Sequence, residues 1–543
     1  METPRQAEIV ILLMMVMVGL TAIARKLLIP YPILLVLGGL ALGLTPGMPD
    51  VALEPDLVFL VFLPPILGSA AYGTSLRDFK DNGRPIALLA LGLVVATTLA
   101  VGWAMQAMLP GIGWAAALAL GAIVSPPDAV AATAIGRRLS VPRRVVVILE
   151  GESLVNDASA LILYRAAVTA VVTGAFSLGG TLLQFVISSA AGVAIGVAVS
   201  AVAVWAMRRT HDSLSEIGMS LVAPYAAWVL AERAHVSAVL ACVAGGIYLR
   251  QHFSEVATAA TRVQARAIWE QFVFLLNGGI FVLIGLQVGV LRATVLSGRV
   301  GILLWYGFLI TLVAVGVRLV WVPLATLLPR LLVPSIRRND PLPHWPQVFL
   351  VGWTGLRGIV SLAAALALPL RTASGEPFPY RAEIIVITFV VILLTLVVQG
   401  LSLAPLVRLL RLPAEDVLER EERRAREHAV TRALARLDGL SGEPWVVPEQ
   451  LERIKSAYAE RLGRLTGGAN REPEALEGTE DFRRLRAHAL AAERHALIEL
   501  RDQEVISDEV LHRLEHEVNL EAVRAGLGEF RLPRRRGGGS DST

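Results

Sequence analysis

The chain has 543 residues, of which 55% are hydrophobic and only 18% are charged, and its mean hydropathy is +0.60. This composition is typical of a polytopic membrane protein, and a formal net charge of +4 is too small to favour a nucleic-acid partner. We find no phosphate-binding glycine loop, zinc-ligand spacing or nucleophile–base set, which argues against an enzyme and predicts no cofactor. A single cysteine, Cys242, excludes an intrachain disulfide.

Thirteen apolar segments are long enough to cross a membrane. Their approximate limits are 7–24, 30–46, 55–72, 84–108, 112–135, 142–173, 181–207, 214–231, 235–250, 269–291, 300–329, 346–370 and 383–411. Seventeen arginines and lysines fall in or beside the loops on one side, against six on the other. By the positive-inside rule, the N-terminus lies outside and the C-terminus lies in the cytoplasm. The prediction is an all-α polytopic protein of the cell (inner) membrane.

The sixth segment carries the most unusual polar residues for a membrane span: Glu150, Glu152, Asn156 and Asp157. An ionisable residue at bilayer depth costs roughly 3 kcal/mol on insertion scales, so these acids predict an ion or proton path. Ser153 and Asp157 share one helix face at i, i+4, and Glu150 returns to that face. We therefore predict that Asp157 carries the chemistry, against the alternative of a buried structural acid. Glu150 is interpreted as an access-funnel acid or, equally well, as a snorkelling or loop-capping acid.

Two segments contain breaks. In the fifth, Pro126 and Pro127 deprive the preceding carbonyls of helical donors, and Asp128 follows directly. In the twelfth, three glycines of the run 352–358 weaken the helix around Arg357. The broken segments are seven apart in order and so run in opposite directions, which indicates two inverted six-helix repeats with the seventh segment as connector. Broken helices at corresponding places in inverted halves predict a transport site at the midplane.

The character of the chain changes at about residue 413. We assign residues 1–411 to the membrane domain, 412–530 to a helical cytoplasmic domain, and 531–543 to a disordered tail. Within the cytoplasmic domain, apolar residues at helical spacing predict helices over about 424–438, 448–465, 481–503 and 508–526. This domain is interpreted as either regulatory or a helical assembly module.

Several motifs of the membrane domain resemble monovalent cation/proton antiporters of the sodium/proton exchanger (NhaP-like) type found in bacteria. The run from Gly151 to Ala158, Gly-Glu-Ser-Leu-Val-Asn-Asp-Ala, is similar to the family's Asn-Asp signature. Four further stretches are similar to its third, fifth and later spans, namely 62–67, 125–131, 275–287 and 352–358. Together these motifs are spread over the membrane domain, residues 1–411. The resemblance implies a fold of two inverted repeats with broken helices that cross, and it suggests a homodimer.

Carried over residue by residue, the resemblance implies that Asp157 binds either a cation or a proton. Sodium would be held by Asp157, Asp128 and Ser153, and the wider cation- and proton-binding set includes Asn156 and Ser125. Asn156 replaces the second aspartate of the electrogenic branch. Glu152 and Arg357 would form a buried structural ion pair. Two positions depart from the family pattern, because Pro127 replaces a frequent threonine and Gly68-Ser69 replaces a frequent glutamate.

The chemistry agrees with this resemblance. Sodium and potassium are hard cations that prefer oxygen ligands, and a carboxylate that binds either a cation or a proton couples two opposite fluxes by competition. We therefore predict sodium/proton antiport by alternating access, electroneutral because Asn156 removes one titratable group. The substrates are a monovalent cation and protons, and the surroundings are membrane lipid. The alternatives are potassium/proton antiport on the same scaffold, a cation channel, or a sensor that signals through the C-terminal domain.

Overall fold

The computed structural model describes residues 3–27, 29–45, 54–128, 141–210, 212–290, 300–412, 417–466 and 480–524. The predicted disordered tail, 531–543, lies outside the described residues, as does most of the predicted inside loop 136–144. All statements about structure below refer to the described residues.

Twelve of the thirteen predicted segments coincide with a helix or with a helix that contains a break, and the described part of the fifth, up to Asp128, contains one helix and the break that follows it. The elements of the membrane domain are α1 (Thr3–Leu27), α2 (Tyr31–Leu44), α3 (Pro55–Gly73), α4 (Leu76–Asp81), α5 (Gly83–Met108), α6 (Trp114–Val124), α7 (Arg143–Thr173), α8 (Leu178–Met207), α9 (Ser213–Arg233), α10 (Ala238–Val256), α11 (Ala259–Val290), α12 (Val300–Leu332), α13 (Pro334–Asn339), α14 (Trp345–Trp353), α15 (Ile359–Leu366) and α16 (Arg381–Leu410).

Seven of these helices are long and apolar enough to cross a membrane: α3, α5, α8, α9, α11, α12 and α16. The helix α7 is also long enough, at 31 residues, but its six charged side chains make it less apolar than these seven helices. Two of the apolar helices, α2 and α6, are shorter than a span. The all-helical membrane fold is thus confirmed, and the count of thirteen spans stays a prediction.

Glycines allow the helices that frame the centre to pack backbone against backbone. A side chain at Gly39 of α2 would overlap the backbone of Val282 in α11, and one at Gly285 would overlap the backbone of Val36. Gly196 of α8 likewise lies directly against the Ala241 carbonyl of α10. Small residues serve this purpose in membranes, where close van der Waals packing rather than the hydrophobic effect holds helices together.

The two predicted breaks meet at the centre of the membrane domain. The helix α6 ends at Val124, and α14 and α15 are separated by the irregular residues 354–358. The Asp128 N–H donates to the carbonyl of Leu356 at 2.6 Å, so one break completes the hydrogen bonding of the other. The two predicted breaks are therefore in contact, whereas the crossing of two complete broken helices and the inverted-repeat arrangement of the whole domain stay predictions.

The C-terminal part forms four helices: α17 (Val417–Asp438), α18 (Pro448–Thr466), α19 (Glu480–Asp502) and α20 (Asp508–Arg524). These agree with the predicted helices within a few residues, except that α17 begins seven residues early. The predicted helix began where apolar residues take up helical spacing, yet glutamate and arginine also favour helix and pair at i, i+4, as Glu422 and Arg426 do at 2.7 Å. The last helix, α20, packs against α11 of the membrane domain.

Candidate ion-binding site

Asp157 lies near the middle of α7. It follows Arg143, the first residue of the helix, by 14 residues, which corresponds to roughly 21 Å along a 31-residue helix. Its side chain is only 7% exposed, and it accepts no hydrogen bond from the described part of the chain. Since the described residues give this buried acid no hydrogen-bond donor, a cation or a proton in the space beside it would stabilise it.

A cavity of about 1210 Å³ adjoins Asp157. Ser153 and Glu150 line it from the same face of α7, as the spacing predicted, and Asp128 lines it from the break after α6. From Asp157 the cavity extends past Glu150 to the C-terminal domain, where His512 and Glu515 of α20 form part of its wall. The three predicted sodium ligands, Asp157, Asp128 and Ser153, therefore share one space.

Asp128 lies where the contact between the two breaks can stabilise a negative charge. Its carboxylate lies directly against Gly358, the N-cap residue of α15, so close that a β-carbon at Gly358 would overlap it. The N-terminus of a helix carries a partial positive charge, which favours an anion there. The Asp128 carboxylate also interacts electrostatically with Asp157. A cation or a proton placed between the two acids would relieve their mutual repulsion.

Arg357 places a positive charge at the C-terminal end of α6. Its guanidinium donates to the backbone carbonyl of Ser125, just beyond the C-terminus of α6, where the helix dipole is negative. The Ser125 hydroxyl turns back to the carbonyl of Ala122 at 2.9 Å, and the residue is fully buried. Ser125 was predicted to bind the cation, but the structure places it in support of the break and not on the cavity surface.

The predicted ion pair between Glu152 and Arg357 is wrong. Glu152 instead forms a bidentate pair with Arg318 of α12, with 2.8 Å between Oε2 and Nη2, and both side chains are 1% exposed. Arg318 reaches Glu152 from α12, whereas the guanidinium of Arg357 donates to the Ser125 carbonyl. Arg357 remains within electrostatic range of both Glu152 and Arg318.

Asn156 does not line the cavity. Its amide nitrogen donates to the carbonyl of Pro127 at 3.2 Å, and the residue is fully buried. The prediction that Asn156 contributes a cation ligand is therefore not supported by the geometry. Asn156 ties α7 to the break whose helical donors the two prolines removed.

Two residues of α16 that the sequence analysis did not single out complete the second break. The Thr395 hydroxyl accepts the backbone N–H of Arg357 at 3.1 Å, and the Gln399 amide donates to the carbonyl of Trp353 at 3.0 Å. Both backbone groups lost their helical partners when α14 ended, and unpaired backbone groups are costly in a membrane. Polar residues four apart in an otherwise apolar span were the signal that could have identified them.

Further groups line the cavity, two of them at positions where the sequence departs from the family pattern. Ser69 and Pro127 both line the cavity, so the two departures alter its wall directly. Asn277 of α11 and Ser361 of α15 line it as well. The side-chain amide oxygen of Asn277 is buried and accepts no hydrogen bond within the described residues, so this oxygen is available to a cation in the cavity.

Comparisons with known proteins show the family of the chain. A family model described as the transmembrane part of the sodium/hydrogen exchanger matches residues 11–409. A Mycobacterium tuberculosis protein described as an uncharacterized Na(+)/H(+) exchanger is 36% identical over 532 residues, which make up 95% of either chain. A Bacillus pumilus protein named as a sodium, potassium, lithium and rubidium/H(+) antiporter is 30% identical over 513 residues, covering 91% of this chain and 74% of the relative.

Among solved structures, the sodium proton antiporter MjNhaP1 from Methanocaldococcus jannaschii matches 76% of this chain and 99% of its own, with a TM-score of 0.59. At 18% sequence identity this likeness shows the fold alone. The family consists of transporters and not of enzymes, and its members are multi-pass membrane proteins. Because the family model spans most of the chain and the relatives match nearly all of it, this protein belongs to the sodium/hydrogen exchanger family of membrane antiporters.

Proposed function

We propose that this chain exchanges sodium for protons by alternating access, with Asp157 as the carboxylate that binds each substrate in turn. The observation that carries the proposal is the position of Asp157, buried at the head of a large cavity and beside Asp128 at the contact between the two breaks. A binding group at this depth can be reached from one side at a time, which is what alternating access requires.

The exchange follows from competition for one group. The ionised Asp157 binds sodium together with oxygens from Asp128 and Ser153, and protonation of the carboxylate removes the charge that holds the cation. If only the sodium-loaded and the protonated forms change the side from which the cavity opens, each cation that moves in one direction is matched by protons that move in the other. Asn277 and Ser361 offer further oxygens at the same cavity.

We propose further that the exchange is electroneutral. Asn156, the residue before the binding carboxylate, is an amide that bonds the Pro127 carbonyl and cannot titrate. One fewer acid at the site favours one proton for each sodium ion. A sustained current after a sodium jump, recorded from the purified protein on a supported membrane, would refute this stoichiometry.

Asp157→Asn tests the main proposal. The amide keeps the shape of the side chain but has no carboxylate to exchange, so we expect a folded protein without proton flux in proteoliposomes. Glu232→Gln is the matched control, because this acid is half exposed and pairs with Arg165 at 3.7 Å, remote from the cavity lining. Exchange at the wild-type rate by Asp157→Asn, or equal losses in both variants, would overturn the assignment.

Potassium is the second candidate substrate. The Bacillus pumilus relative is named for sodium, potassium, lithium and rubidium, and all of these ions accept the oxygen ligands found here. A dye-based proton-flux assay in proteoliposomes, with each cation added in turn, separates the candidates. Cation flux without proton movement would instead indicate a channel, and cation binding without flux would indicate a sensor.

The orientation and the assembly are parts of the same proposal. We place the C-terminal domain in the cytoplasm, so that the cavity between Asp157 and α20 faces inward. Cysteine labelling of intact cells should then reach the 174–180 loop and not the 136–144 loop. We also propose a homodimer, which light scattering of the purified protein in detergent would test by its mass.

A further inference from the structure

Three arginines converge on one aspartate on the side of the membrane domain where α5 and α7 begin and α12 ends. Asp340, which follows α13, accepts hydrogen bonds from Arg144 at 2.8 Å and from Arg330 at 2.7 Å, and it also pairs with Arg84. The Nε of Arg330 adds a bond to the Asp340 backbone carbonyl at 3.0 Å. We call these four residues the Asp340 cluster.

The cluster carries an excess of positive charge. Three guanidinium groups share a single carboxylate, and two further arginines, Arg337 and Arg338, stand exposed on α13. Neither Arg337 nor Arg338 forms an ion pair with any residue that the structure describes. Three arginines that contact Asp340 and two more on the adjoining helix α13 therefore share this one acid among the described residues.

Among the residues that the structure describes, neighbouring acids do not compensate this charge. The two that precede α5 are already paired, Asp78 with Arg143 and Asp81 with Arg77 at 3.8 Å. Burial of Asp340 disfavours its ionised form, but the hydrogen bonds and charges of Arg144 and Arg330 outweigh burial and hold the pKa of Asp340 below its usual range. Asp340 thus contributes its full negative charge already, and a balanced cluster requires an additional anion.

The surroundings of the cluster are apolar and open to lipid. Leu331 and Leu332 at the end of α12 are 73% and 70% exposed, and Leu342 and Trp345 are each 58% exposed. A cleft of about 50 Å³ between α5, α7, α12 and α14 runs beside the arginines, with walls that are mostly aliphatic. Exposed leucines and a tryptophan next to arginines are typical of the depth where acyl chains give way to headgroups.

We propose that the Asp340 cluster, with Arg337 and Arg338, binds the headgroup phosphate of an anionic phospholipid in the leaflet on that side of the membrane. The guanidinium groups donate to the phosphate oxygens, for which their planar, fork-like geometry is suited. The acyl chains lie along Leu331, Leu332 and Leu342. The net charge selects an anionic over a zwitterionic lipid, because a zwitterionic headgroup brings its own cation next to the arginines.

The test measures lipid binding to the full-length protein in detergent. Phosphatidylglycerol, phosphatidylcholine with the same acyl chains, and inorganic phosphate are titrated separately, with native mass spectrometry and thermal melting as readouts. We expect phosphatidylglycerol alone to be retained and to raise the Tm. Arg337→Gln with Arg338→Gln should weaken its apparent affinity about 30-fold, which corresponds to about 1 kcal/mol for each arginine at a membrane surface.

The control variant removes the same charge elsewhere. Arg208 and Arg209 are an exposed pair at the end of α8, and Arg208→Gln with Arg209→Gln should bind phosphatidylglycerol within about threefold of wild type. Equal retention of phosphatidylcholine would overturn the proposal, and so would an equal loss of affinity in the two double variants. An equal Tm shift with inorganic phosphate would assign the cluster to a soluble anion instead of a lipid.

Discussion

The pair of Glu152 and Arg318 offers the sharpest test of the structure, because three buried charges lie together there. Glu152 binds Arg318 through both oxygens, and Arg357 is within electrostatic range of both. The set therefore carries two positive charges and one negative charge in a nearly water-free region. Removing the acid leaves two like charges, whereas removing Arg318 leaves Glu152 with a remaining partner in Arg357.

Breaking a buried ion pair costs about 3–5 kcal/mol in soluble proteins. We expect Glu152→Gln to reach the upper end of this range, since among the described residues Arg318 then keeps one partner, the Val351 carbonyl at 3.2 Å, and it also repels Arg357. Arg318→Gln should cost less, since Arg357 can partly compensate Glu152. Glu152→Gln combined with Arg318→Gln should recover much of the stability, because no orphaned partner of the pair remains.

The measurement is the free energy of unfolding of all variants, from denaturant titration in mixed micelles, with Tm in detergent as a second readout. Glu152→Gln with Arg357→Gln is the matched comparison, and it should show little recovery because Arg318 still lacks its partner. Equal recovery in both double variants would show that Glu152 stabilises the two arginines alike. If Glu152→Gln is as stable as the wild type, Glu152 has no structural role and becomes a candidate for the ion path.

Three further predictions concern other parts of the chain. Gly358→Ala places a methyl group where the Asp128 carboxylate lies, so we expect exchange in proteoliposomes to fall at least tenfold with yield largely retained; undiminished exchange would contradict the contact. Glu515→Gln removes the charge that pairs with Arg262 of α11 at 3.8 Å and weakens the hydrogen bond from the Ser254 hydroxyl of α10 at 2.8 Å, so it should speed proteolytic release of the C-terminal domain. An unchanged cleavage rate would count against this docking. Burial raises the pKa of Glu493 to about 7 from 4.5, so its contribution to stability is full below pH 4.5 and is lost as the pH rises through about 7. Glu493→Gln should therefore flatten the decline of Tm between pH 5 and pH 8, and a decline equal to that of the wild type would exclude Glu493 as its cause.

The sequence alone determined the helices and the position of the central acid. Uninterrupted apolar length predicts a helix in a membrane, because the lipid leaves backbone groups no other partner. Pro126 and Pro127 predicted the first break, and the glycines of 352–358 predicted the second. The i, i+4 rule placed Ser153 and Asp157 on one face of the helix, and both side chains line the same cavity.

The tertiary structure decided which partners the polar groups take. Arg318 is 166 residues from Glu152, and an arginine inside an apolar span signals only that a partner exists, not which one. The sequence likewise did not show that Thr395 and Gln399 bond the backbone of the second break. The backbone groups that they satisfy become available only when α14 ends beside α16. Hydropathy and helix periodicity act over short stretches of chain, whereas buried charges and broken backbones are satisfied by whichever distant side chain the fold brings within hydrogen-bonding distance.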